Sequence, residues 1–234
     1  MQPLDINCPE CGAPVNFRGT AVSVVCEYCN STVVRTGVDV SLIGKVSALI
    51  DNGSPILLHS SGRFDNLPFV VSGRLQVSYD RGTWNEWFLE HADGTIGWLS
   101  DAQNQFALVR PINPNQVAGR VGSYHEFKLG TPYRIAGRVA IAVDKRGAAY
   151  KGAEGLLPFE AAPGMTYFGV DLRGYQGEFI TLDWGTDPSH REPTPYVGRA
   201  VSLREIGLFP LRQFQGWPPA KPPTAPASAP APTV

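Results

Sequence analysis

At 234 residues with 20 Lys and Arg against 21 Asp and Glu, the chain has a formal net charge of −1. That balance leaves no global field to draw nucleic acid or an anionic membrane surface. The 25 glycines and 21 prolines point to many short strands joined by turns, and no uncharged apolar stretch is long enough to cross a bilayer. The expected class is a soluble, mainly β protein without a transmembrane segment, able to reach a membrane only peripherally, through a partner.

Residues 1–36 read as a zinc ribbon. Cys8 and Cys11 form one Cys-x-x-Cys pair, Cys26 and Cys29 another, with 14 residues between the pairs. Each pair closes a tight turn, and the four thiolates converge on one metal. With all four ligands from protein the site is closed, so the expected Zn²⁺ is structural and not catalytic. Disulfides are the rival, with three possible pairings. Against them, the start Met-Gln-Pro-Leu-Asp has neither a basic nor an apolar leader region, so the expected compartment is the reducing cytoplasm. A redox Cys-x-x-Cys reading lacks the βαβ context it needs. Gly12 and Asn30 follow the two pairs at positions where a left-handed residue turns backbone amides toward sulfur. Ala21–Val25 and Thr32–Val34 are β-branched strand candidates. So small a unit has little core, and metal binding supplies most of its folding energy. Asp5, Glu10 and Glu27 against Arg18 and Arg35 leave it slightly acidic, which favours a docking or stabilising module over a nucleic-acid reader.

Residues 37–112 read as a first β unit. Phe69–Tyr79 is a long extended run ending at Asp80-Arg81-Gly82, and Trp84–Glu90 and Ile96–Leu99 are strands joined through Asp93-Gly94, a hairpin signal. Residues 113–215 read as a second unit with related grammar. Tyr133–Ile141 lines up with the run from Phe69, setting Gly137-Arg138 against Gly73-Arg74, and Asp144–Gly147 echoes the turn at Asp80. That suggests a duplication, or two halves of one closed sheet, with the Pro-rich Arg110–Asn115 as the joint. The architecture expected is therefore a ribbon followed by one or two antiparallel β-barrel-like units. Residues 216–234, rich in Pro and Ala, read as a disordered tail.

Catalytic signatures are sparse. His59, His91, His125 and His190 are scattered, the cysteines are committed to metal, and no nucleophile elbow, phosphate loop or dinucleotide fingerprint occurs. Gly119-Arg120-Val121-Gly122 lacks the strand-to-helix setting of a phosphate loop. On a strand, Trp84 and Glu86 share one face while Asn85 and Trp87 share the other. A carboxylate beside indoles could hold a cation such as a polyamine, with Trp98 nearby as a further surface residue. The structural alternative makes the tryptophans core and lets Glu86 satisfy a buried donor such as Arg74. Glu154, Asp171, Glu178 and Asp183 could supply a carboxyl pair for acid–base work but lie far apart in sequence.

Phe69-x-x-x-Gly73-Arg74, Gly82–Trp87, Asp93-Gly94 and Gly97–Ser100 together resemble the bacterial family DUF4178, a domain of unknown function. Glu154–Pro158, Val170–Leu172, Phe179–Trp184 and Val197–Arg199 are similar to its later half. The resemblance covers nearly everything before the tail and implies a frequent association with an N-terminal zinc ribbon. It brings no activity and no catalytic residue. Relatives encoded beside spermidine-synthase-like and small membrane proteins imply a membrane- or stress-linked assembly. The sequence thus leads to a non-catalytic, zinc-containing interaction module with a protein partner. Its rival is a small-cation binder or enzyme using Trp84, Glu86, Trp87 and Trp98. Nucleic-acid binding would require Arg63, Arg74, Arg81, Arg120 and Arg138 on one face.

Overall fold

In the computed structural model residues 3–36, 39–45, 49–80, 82–113, 122–162 and 164–216 are described. The tail expected from 216 lies outside them beyond Gly216, as do Pro114 and Asn115 of the expected joint. Among the described residues the regular structure is fifteen strands and one 3-10 turn, Tyr124–Glu126. No helix is long and apolar enough to cross a membrane.

The cysteine pairs fall at hairpin turns. Strands β1 (Leu4–Asn7) and β2 (Pro14–Phe17) pair around the first, and β3 (Ser23–Val25) and β4 (Ser31–Thr36) around the second, with β5 (Asp39–Lys45) on the edge. Phe17, Val15, Val24 and Val33 give this unit a buried cluster of its own, more apolar packing than its sequence suggested.

Two five-strand runs follow. The first is β6 (Ser61–Phe64), β7 (Leu67–Tyr79), β8 (Gly82–His91), β9 (Ile96–Ala102) and β10 (Gln105–Pro111). The second is β11 (Pro132–Ile135), β12 (Arg138–Leu157), β13 (Thr166–Gly174), β14 (Glu178–Asp183) and β15 (Thr194–Val201). Within each run neighbours pair as antiparallel hairpins, and β10 pairs β15 while β12 pairs β7. Those two seams close the order β7-β8-β9-β10-β15-β14-β13-β12 into one eight-stranded barrel, so neither half closes alone.

The repeat is present in a different register from the one read in the sequence. Asp65-Asn66 (φ 48° and 64°) turns β6 into β7, and Ala136-Gly137 (φ 49° and 76°) turns β11 into β12. Positive φ at both central residues is the hairpin geometry that matches strand twist. Gly137-Arg138 therefore corresponds to the β6–β7 turn, whereas Gly73-Arg74 lies inside β7. Asp144–Gly147 is likewise not a turn: it lies within β12, where a bulge between Ala142 and Asp144 shifts the pairing with β13. At 20 residues β12 is the longest strand, pairing in succession with β11, β13, β7 and β3.

Most barrel strands are buried on both faces. Outside, Phe69, Val71, Trp87, Leu89, Leu99 and Leu108 are covered by Ile56, Ile206 and Leu208. On the other outer flank Ala142, Val170, Leu172, Ile180 and Leu182 pack under Phe127 and Trp184. The inner face carries Leu75, Val77, Trp84, Phe88 and Ala148, joined through Trp98 to Ala107, Val109 and Phe179.

Candidate functional site

The four cysteines meet. All four Sγ atoms lie within 4.8 Å of one another, with Cys8–Cys29 and Cys11–Cys26 each at 3.7 Å, and no disulfide joins them. Metal–sulfur bonds of about 2.3 Å in a tetrahedron place sulfurs about 3.8 Å apart, so the cage fits one soft ion. Both short contacts cross between the hairpins, so an ion here would tie β1–β2 to β3–β4. Gly12 N–H donates to the Cys8 carbonyl (2.8 Å) and Asn30 N–H to that of Cys26 (2.9 Å). Gly12 (φ 76°) and Asn30 (φ 58°) both adopt the left-handed conformation expected of them. Hydrogen bonds from the Ser31 hydroxyl and amide lower the Cys29 thiol to about 6.

Of the aromatic and acidic residues singled out in β8 and β9, the barrel gathers three and separates one. Trp84, Glu86 and Trp98 share the inner face; Trp87 belongs to the outer core, with the Arg74 guanidinium 5.0 Å above its ring. Arg74 is not the partner of Glu86, because it lies on the opposite face and bonds Asn85 (3.0 Å) and Glu154 (3.3 Å). Glu86 Oε1 instead accepts from Trp84 Nε1 (2.6 Å) and Ser100 Oγ (2.9 Å). Burial raises the Glu86 pKa to about 7 against the pull of those bonds and of Arg146.

The four scattered carboxylates divide by strand parity. Asp171 and Asp183 point into the barrel, while Glu154 and Glu178 pair outside with Arg74 and Arg138. Arg146 reaches Asp171 at 2.7 Å, also pairs with Asp144, and stacks 4.8 Å over the Trp84 ring. Thr181 Oγ1 donates to Asp171 at 2.8 Å. Sequence reading missed Arg146, Tyr150, Tyr167 and Tyr196 on this inner face. The signal was the spacing of two between Arg146, Ala148 and Tyr150, hidden by taking Asp144–Gly147 for a turn.

The histidines are not brought together. His91 is buried edge-on to Phe69, both ring nitrogens lack a hydrogen-bond partner among the described residues, and desolvation lowers its pKa. Of the five arginines considered for nucleic acid, Arg81 and Arg120 lie outside the described residues, and Arg74 and Arg138 are in ion pairs.

A cleft of about 1550 Å³ separates the cysteine unit from the barrel, walled by Val15, Arg18 and Tyr28 on one side and Arg63, Phe69 and Glu90 on the other. Tyr28, between Cys26 and Cys29, is 72% exposed at its rim. The unit joins the barrel where β3 pairs with the end of β12 and Ser23 Oγ donates to the Phe159 carbonyl at 2.6 Å.

Residues 59–203 match the family model DUF4178, described as a domain of unknown function. The matched segment contains both five-strand runs and begins after the cysteine unit. No curated protein and no solved structure matches the chain.

Proposed function

The chain belongs to the DUF4178 family, which carries no assigned activity, and from its geometry we propose a non-catalytic interaction module clamped by structural Zn²⁺. Four thiolates at tetrahedral spacing are a donor set that suits zinc, and a closed set leaves no open position for chemistry. The zinc ribbon and the barrel form two walls of one cleft, and a protein partner docks between them. Tyr28 carries this reading. It is a large aromatic left 72% exposed on a metal knuckle at the cleft rim, the kind of side chain that dominates protein interfaces. Its position depends on the ion, so docking depends on zinc. The setting we propose is cytoplasmic, in the membrane- or stress-linked assembly that the family likeness implies.

The test has two arms. Elemental analysis of gently isolated protein should find zinc equimolar with chain, and a metal-free product would end the proposal. Affinity capture from native cells should then return a partner that Tyr28→Ala loses, a change of about 2 kcal/mol for an interface aromatic. A partner retained equally by Tyr28→Ala and by zinc-stripped protein would place docking elsewhere.

A further inference from the structure

Strand β2 presents an open backbone edge to the cleft. Among the described residues it pairs with β1 alone. Cys8 N–H donates to the Ala13 carbonyl at 2.7 Å, which fixes the parity of the ladder. Ala13, Val15 and Phe17 turn their backbone groups toward β1, while Pro14 and Asn16 turn theirs away. Pro14 suits that side because it has no N–H to give. The Asn16 N–H and carbonyl and the Pro14 carbonyl are thus left free, and no other described residue hydrogen-bonds them. Val15 and Asn16 project to opposite faces of the ribbon, yet both line the cleft, and no residue of β1 does. The cleft therefore runs along the edge of β2 and not over one of its faces.

At about 1550 Å³ the cleft exceeds the roughly 300–1,000 Å³ of small-molecule pockets and has the size for a polypeptide segment. Arg18, Arg63 and Arg199 on its walls are offset by Glu27, Asp65, Glu90 and Glu205, so it favours no strongly charged occupant. Residues 222–234 of this chain carry no charged side chain. Within them Ala225, Ala227, Ala229 and Ala231 alternate with Pro226, Ser228, Pro230 and Pro232. Two is the period of a strand. In an extended chain the alanine N–H groups would all face one edge, and every proline would fall on the other, where no donor is needed and where edge strands tolerate it. Val70, 42% exposed, and Pro68 give the opposite wall an apolar surface for side chains this small. The chain also passes close by. Ile206 and Gly207 line the cleft, and Arg212 N–H donates to the carbonyl of Pro55 (2.8 Å), three residues before the cleft-lining Leu58. At up to about 3.5 Å per residue, Gly216 lies within about 30 Å of Leu58, and the stretch from Gly216 to Ala225 extends about as far.

We propose that residues 225–231 of this chain add to the free edge of β2 as a further strand lying in the cleft, with alanine N–H groups donating to the Pro14 and Asn16 carbonyls. The strand occupies the place assigned above to a protein partner, which has to displace it. The proposal rests on that reading for what displaces the strand and not for where the strand sits.

Amide exchange at Asn16, resolved by NMR in the full zinc-loaded chain, tests it. The Asn16 N–H should exchange about tenfold more slowly than in the double variant Ala227→Pro, Ala229→Pro, which removes two donors from the paired edge. Ser228→Pro, which adds a proline on the unpaired edge, should keep the protection. Both variants leave the barrel sequence untouched, so exchange of the β7 and β15 amides should not change. The proposal fails if Asn16 exchanges unprotected in the full chain, if the double variant leaves its protection intact, or if Ser228→Pro removes it as fully. Protection lost on tenfold dilution would put a second copy's segment in the cleft and overturn seating within one chain. None of these outcomes bears on the partner reading, which stands or falls on zinc content and on capture by Tyr28.

Discussion

Glu86→Gln should stabilise the protein above neutral pH and leave its stability in acid unchanged. Burial raises this carboxyl from 4.5 to about 7, only partly opposed by hydrogen bonds from Trp84 and Ser100 and by the charge of Arg146. A carboxyl whose folded pKa exceeds its unfolded one holds its proton more tightly in the native state. Its contribution to stability is therefore complete below about 4.5 and is lost as pH rises through about 7. The gap of about 2.5 pH units corresponds to about 3 kcal/mol, which for a barrel of this size is roughly 6–12 °C in Tm. Thermal unfolding followed by circular dichroism, at about pH 4 and about pH 8, measures it for both proteins. His91, whose pKa burial lowers, has the opposite pH dependence but is present in both proteins and cancels in their difference. The two should melt together in acid, with the variant clearly higher in base. Equal melting at both pH values, or a variant less stable in base, would refute a desolvated Glu86.

Stripping metal from the cysteine unit should unfold residues 3–36 first and leave most of the β-sheet signal, read by hydrogen exchange and circular dichroism; a single concerted melt would instead make the unit part of the barrel's own core. Gly198→Ala should cost about 1–3 kcal/mol in urea unfolding, because a Cβ there would lie 1.8 Å from the Leu108 carbonyl across the β10–β15 seam. Gly169→Ala, whose nearest neighbours would be 3.7 Å away, should cost under about 1 kcal/mol, and equal costs would refute the seam argument.

Legibility in the sequence followed the range of the interaction. The cysteine cage was readable because Cys-x-x-Cys geometry is local, and Asn30 could be placed because a knuckle needs a left-handed residue there. Strands β7, β8 and β9 were readable from aromatic and β-branched residues and from Asp93-Gly94. The repeat was readable in kind but not in register, because the equivalent turns are chemically unlike: Asp65-Asn66 in one half, Ala136-Gly137 in the other. Which face of β8 points inward could not be read at all. Trp84 and Phe88 face in, Trp87 and Leu89 face out, and all four are buried. Alternation carries no information when the outer face of a barrel is itself roofed by Ile56 and Ile206.

Strand β12 connects the cysteine unit to the inner face of the barrel. Along the barrel it sends Arg146, Ala148 and Tyr150 inward, then leaves the ring to pair with β3 of the cysteine unit. Just past its end, Phe159 stacks on Tyr150 and meets Trp98, while its carbonyl is held by Ser23 and Val25 packs into the same inner cluster. The cysteine unit thus holds Phe159 as an aromatic closure against the inner cluster. A loosened unit would release Ser23 from Phe159 and free the ring from Trp98 and Tyr150. Metal removal should therefore change tryptophan emission before the barrel strands exchange their amides. A fluorescence signal that moves only with barrel unfolding would show that the closure stands without the cysteine unit.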